Sequence, residues 1–361
     1  MAVTAGHKTR KRSSGRRKCA TRASKRIGGK KPTKTQTRAA ASLGVIALAA
    51  GATGAAYKMR QKNLFLHQHL LCLCYGIDDT TRKSTWPRLL GITNIEIEAS
   101  TITIDDYKGN FENSNETIYK PTESPQFKLL KSEDQNQIWR DVNRCNVFKP
   151  RDSNIPKLCE LFNILCKLFD EDTSIKYSQG FHSVVAIFLS VMGNQAHAYV
   201  MAKHVITSHQ CFFVSQPVLT TVLDRRSNKN YHYIGGIMSQ LKSQDSTVNI
   251  PNDFEMLLTR SIAMLNTWFA GTFGTETDSR DYSKVVRLYD TFLCSEWIFP
   301  AIFFAAVLLK NDINNANLAT CFEAEINNNI EQTLHAASVI QGKIKINELK
   351  KYVARRRGGD S

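Results

Sequence analysis

The chain has 361 residues, 42% of them apolar, which is enough to fill a real core and excludes a disordered or fibrous protein. Its formal net charge of +16 has the size found in nucleic-acid binders, but residues 1–62 hold 17 Lys and Arg and no carboxylate. The remainder carries 31 basic and 32 acidic side chains, so the body is electrically ordinary and nucleic acid is not its expected partner.

Residues 1–38, rich in Lys, Arg, Ser, Thr and Gly and without apolar periodicity, are expected to form a disordered basic tail. The GGKK within it lacks the upstream glycine, the following Ser or Thr and the preceding strand of a phosphate-binding loop. Residues 39–57 are uncharged, but only Leu43, Val45, Ile46 and Leu48 are strongly apolar, which makes a bilayer span marginal. This Ala/Gly-rich segment, counted as 39–62 with its linker, fits a weak membrane anchor, a cleaved targeting segment or an interfacial stretch with no address.

In NLFLHQHLLCLC, residues 63–74, His67, His69, Cys72 and Cys74 alternate and do not converge on one helix face. No second cluster completes a tetrahedral set, so the stretch reads as apolar helix and no metal site is expected. TRKSTWPRLLGI begins a short helix, after which residues 92–131 read as a variable surface insertion in which Ile95, Ile97, Ile102 and Ile104 could form a strand.

From residue 132 the spacing predicts helices throughout. SNIPKLCELFNILCKLFDED offers Ser153 or Asn154 as cap, Pro156 in the first turn, and Leu158, Phe162, Leu165 and Phe169 on one face. EWIFPAIFFAAVLLK is too short for a bilayer span and suits a buried core helix. No βαβ alternation or nucleotide fingerprint appears, and the predicted class is all-α. Nine cysteines, odd in number and without framework spacing, fit a reducing compartment.

Any chemistry must therefore rest on isolated polar residues. In IWRDVNRC, Ile138, Val142 and Cys145 should face the core, while Asp141 and Arg144, at i and i+3, are close enough to pair. Taken alone that is an ordinary surface ion pair, and Gln179 at the head of an apolar helix is an ordinary cap or satisfied amide.

Order changes this reading. RKSTWPRLLG, Ile138-x-x-Asp141-x-x-Arg144, Tyr177-x-Gln179-Gly180, NTWFAGTF and VVRLYDTFL follow one another along the chain. In this the chain resembles the TBC domain, the helical catalytic domain of Rab GTPase-activating proteins, from about Trp86 to Leu309. QGFH at 179–182 and RLYD at 287–290 are similar to the small TBC proteins of the endoplasmic reticulum. Ser183 departs from that group, where an acidic residue is expected, and a carboxy-terminal membrane anchor is expected where residues 346–361 read as a basic tail.

The resemblance implies a TBC domain over residues 63–345 that accelerates GTP hydrolysis by a Rab GTPase and so regulates vesicle traffic. Arg144 matches the arginine finger, and Gln179 matches the glutamine that orients the attacking water. Asp141 would orient Arg144 or tie its helix to neighbours, Tyr177 and Gly180 would fix the loop, and Ile138, Trp86, Trp268, Arg287 and Asp290 match scaffold positions. No cofactor of its own is implied, since GTP and Mg2+ would be carried by the partner. The alternative is a catalytically inactive TBC scaffold that binds a GTPase or a membrane partner.

A Rab partner implies the cytosolic face of endoplasmic-reticulum or Golgi membranes. A span at 39–57 would oppose the positive-inside tendency, so residues 1–62 are expected to rest peripherally on anionic lipid. Nuclear targeting or non-specific nucleic-acid binding by the tail is the alternative.

Overall fold

Apolar side chains recurring at three- and four-residue spacing fold the chain into twelve helices among the described residues, with no strand among them. The structure is a computed structural model and describes residue 72 and residues 75–105, 130–149, 154–172, 175–208, 229–251, 253–271, 282–310, 313 and 317–358. The expected tail at 1–38, the segment at 39–62 and most of the 106–131 stretch lie outside the described residues. The helices are α1 (Asp79–Leu89), α2 (Asn94–Asp105), α3 (Ser132–Asn143), α4 (Ile155–Glu171), α5 (Phe181–Met192) and α6 (Gln195–Ser208). They continue as α7 (Lys229–Gln244), α8 (Phe254–Asn266), α9 (Ser283–Cys294), α10 (Phe299–Lys310), α11 (Leu318–Lys343) and α12 (Ile346–Gly358).

α4 packs against α3, α5 and α6, and buries Leu158, Phe162, Leu165 and Phe169 as its spacing dictates. α10, uncharged until its final Lys310, is buried from Phe299 to Leu308 and packs against α7, α8 and α11. Between these groups runs an aromatic cluster. Trp86 of α1 stacks on Tyr289 of α9, Phe188 of α5 and Trp268 meet Tyr289 edge-on, and Phe269 continues the cluster to Phe303 and Phe322.

Two segments differ from the sequence expectation. Residues 94–105 form α2 and not a strand. Thr93 and Glu96 make a reciprocal cap, the Thr93 amide donating to Glu96 Oε2 at 2.7 Å and the Glu96 amide to Thr93 Oγ1 at 3.3 Å. α2 then packs on α4 and α6, where Ile97 meets the core and Ile95 is left exposed.

Residues 346–358, expected as part of a basic tail, form α12, which packs on α7 and buries Leu349 and Val353. Gly236 permits the approach, because a Cβ there would stand 2.4 Å from Leu349 Cδ1. Two apolar residues at i and i+4 among lysines and arginines are a weak helical signal until a partner surface is known.

Candidate functional site

The site begins where α3 ends. Ile138 and Val142 are buried on the inner face of α3, and Asp141 between them is buried as well, its side chain 1% exposed. Burying a carboxylate is costly unless every lone pair is met. Arg144 Nη2 at 2.5 Å and Gln137 Nε2 at 3.3 Å donate to Asp141 Oδ1, and the Tyr177 hydroxyl at 2.9 Å donates to Oδ2.

Arg144 follows the last turn, its amide still donating to the Asp141 carbonyl at 3.1 Å. Its Nε donates to the Arg140 carbonyl at 3.1 Å, yet 62% of the side chain is exposed. The pair is thus no ordinary surface contact. It is a solvent-facing guanidinium tethered at two nitrogens, one of them by a buried carboxylate.

The second part of the site is the loop before α5. Tyr177 is wedged edge-on against Phe169 of α4, and burial with Asp141 beside it pushes its hydroxyl pKa well above the ordinary value. Its oxygen lies 3.2 Å from His182 Nδ1, and His182 Nε2 lies 3.2 Å from Ser183 Oγ. Burial lowers the His182 pKa to about 4, with the Arg144 charge acting in the same sense and Asp141 against it.

Gly180 takes φ +104°, a left-handed conformation, and a Cβ there would come within 3.0 Å of Thr267 Cγ2. Conformation and space both require glycine at this turn. Gln179, just ahead of it, is exposed and makes no hydrogen bond among the described residues.

These elements border a groove of about 630 Å³. Asp141, Arg144, Gln179, Gly180 and His182 line it on one side, and Thr259, Ile262, Ala263 and Asn266 of α8, with Thr267, Ala270 and Gly271 beyond, on the other. The turn after α8 holds Trp268 and Phe269 at φ 46° and 67°, left-handed values rare for bulky residues. Both side chains are fully buried, and the Tyr289 hydroxyl donates to the Thr267 carbonyl at 3.2 Å, so packing holds the strained wall in place. A second cavity of about 510 Å³, between α7, α8 and α12, contains none of these residues.

A family model described as the Rab-GTPase-TBC domain matches residues 79–315, from the first residue of α1 to just beyond α10. The chain belongs to the RabGAP-TBC family. It is 23% identical over 238 residues to TBC1 domain family member 20 of Bos taurus and to that of Homo sapiens, a match covering 64% of this chain and 49% of theirs. TBC1 domain family member 20 of Mus musculus is 26% identical over 151 residues, 42% of this chain. The chain therefore spans about half the length of the cattle and human relatives.

Within this TBC domain the other motif residues lie away from the groove. Asp290 of α9 is fully buried and accepts from Trp86 Nε1 at 2.7 Å, Arg82 Nε at 2.9 Å, Arg82 Nη2 at 3.0 Å and the Ile77 amide at 3.0 Å. Arg287 reaches Glu331 of α11 through two bonds of 2.8 and 2.7 Å and Thr291 at 2.8 Å. Ile138 and Trp268 are core residues.

Sequence reasoning missed Arg82, the counter-ion of Asp290, although its i, i+4 spacing from Trp86 places both on one helix face. It also missed the bonds of His182, which no local spacing reveals. Among the described residues of this TBC domain no cluster of His, Cys, Asp and Glu could hold a metal, and no helix is long and apolar enough to cross a membrane.

Proposed function

We propose that this TBC domain accelerates GTP hydrolysis by a Rab-family GTPase, supplying Arg144 and Gln179 to the partner's active site. The observation that carries the reading is one groove bordered by an exposed, tethered guanidinium and an exposed amide on a loop fixed by Gly180. A planar, permanently charged guanidinium stabilises the charge that develops on a transferring phosphoryl group, worth about 10³–10⁵ in rate. An amide can accept from a water and donate elsewhere, so it orients a nucleophile without titrating. The nucleotide and its Mg2+ belong to the partner in this proposal.

The test is phosphate release from a panel of GTP-loaded Rab proteins with the full chain. Arg144→Lys and Gln179→Ala should each abolish the stimulated rate while leaving the fold intact by circular dichroism. Full activity in both variants overturns the reading, and tight binding of a GTP-loaded Rab without phosphate release by the wild type identifies a scaffold.

The proposal extends to location, a peripheral position on the cytosolic face of endoplasmic-reticulum or Golgi membranes, with residues 1–62 on anionic lipid. Each Lys or Arg at such a surface contributes about 1 kcal/mol. The full chain should float with vesicles containing phosphatidylserine at low salt, and a chain lacking residues 1–62 should not. Equal flotation of the two removes the tail from the account.

A further inference from the structure

We propose that His182 is a positioning residue for Arg144, acting through Tyr177 and Asp141 in its Nδ1–H form, and that Ser183, as a hydroxyl, admits that form where a carboxylate would oppose it. The proposal rests on the reading of Arg144 as the residue supplied to the GTPase.

Five side chains form one continuous line. Ser183 Oγ lies 3.2 Å from His182 Nε2, His182 Nδ1 lies 3.2 Å from the Tyr177 hydroxyl, and that hydroxyl lies 2.9 Å from Asp141 Oδ2. Asp141 Oδ1 holds Arg144 Nη2. The direction of each bond follows from the number of protons present. An ionised carboxylate only accepts, and a tyrosine hydroxyl has one proton, so Tyr177 donates to Asp141. The Tyr177 oxygen is then an acceptor toward His182, and Nδ1 must carry the N–H that it accepts.

Burial keeps the imidazole neutral at pH 7, so it has a single N–H. Nε2 is therefore a bare acceptor, and the Ser183 hydroxyl is the donor that meets it. With the proton on Nε2 instead, Nδ1 and Asp141 Oδ2 would compete for the one proton of Tyr177. Asp141 would lose a donor while remaining buried, and the tether on Arg144 would change with it.

The chemistry of residue 183 thus decides which forms of the ring are admitted. A hydroxyl can donate to Nε2 or accept from it, so it admits the Nδ1–H form that Tyr177 and Asp141 require. A carboxylate there could only accept, so it would favour the Nε2–H form or the imidazolium.

The first measurement is the ¹⁵N chemical shifts of the His182 ring in the wild-type chain near pH 7. The expected pattern is a protonated Nδ1 and an unprotonated Nε2, with Ser183→Asp moving the proton onto Nε2. A wild-type ring protonated on Nε2 overturns the inference without any variant having to fold.

The second measurement is stimulated hydrolysis as a function of GTPase concentration. His182→Asn places an amide donor near Nδ1 and should retain the maximal rate to within about threefold. His182→Leu has comparable bulk and no donor, and should lose about tenfold of the maximal rate at an unchanged half-saturating concentration, the scale of one hydrogen bond. Equal maximal rates for His182→Asn and His182→Leu, with Arg144→Ala inactive, overturn the inference and leave the functional reading standing. Wild-type rates in Arg144→Ala overturn that reading and the kinetic role of His182 together.

Discussion

Asp141 is tolerated at 1% exposure because three side-chain donors surround it, and one of those donors is Tyr177 of the loop that carries Gln179. A consequence at the same scale is pH dependence. His182 faces Asp141, Arg144 and Tyr177, and its pKa falls from an ordinary 6.5 to about 4, chiefly through burial. Between those values the unfolded chain binds more protons than the folded one, so stability rises with pH there. The His182 contribution is fully present above pH 6.5 and is lost as pH falls toward 4, by up to about 3 kcal/mol. Denaturant melts of wild type and His182→Asn between pH 4 and 7 should show the variant with the flatter profile; parallel profiles would remove His182 as the cause. The sequence showed that a histidine follows Gln179-Gly180. It did not show that the left-handed turn at Gly180 sets this ring between Tyr177 and Ser183.

Among the elements, α12 is the one whose existence depends most on its partner. Its polar face carries Lys350, Lys351 and Arg355, all exposed, while Leu349 and Val353 are buried on the other. An isolated 13-residue helix of this composition is marginal, so α12 depends on α7 and on the close approach at Gly236. Leu349→Ala should destabilise this contact by about 2–3 kcal/mol. Amide hydrogen exchange should then accelerate across residues 346–358 and leave α10 protected. Unchanged protection of α12 would mean that Val353 and the ends of the helix suffice. α2 teaches the converse lesson. Its Thr93-x-x-Glu96 cap is written in the sequence, and the alternation of isoleucines drew attention from it; the reciprocal cap and the surface of α4 and α6 decided for helix.

At the scale of the molecule, Asp290 joins α1 to α9 and the aromatic cluster joins both to α5, α10 and α11. Asp290→Ala would leave the buried Arg82 guanidinium without this carboxylate and should cost about 3–5 kcal/mol. A thermal melt should record a cooperative loss across the whole domain. A shift confined to α1 by hydrogen exchange would show that the tie is local. The all-α class and the helices from 132 to 310 were legible because apolar spacing is a local property of the chain, and the ordered motifs around Arg144 and Gln179 pointed to the family in the same way. Burial of Asp141, the Arg82 partner of Asp290, the relay through His182 and the docking of α12 were not legible. Each depends on at least one contact between residues far apart in the chain, Tyr177 with Asp141, Arg82 with Asp290 and α12 with α7, which only the packing of helices brings within hydrogen-bonding or van der Waals distance.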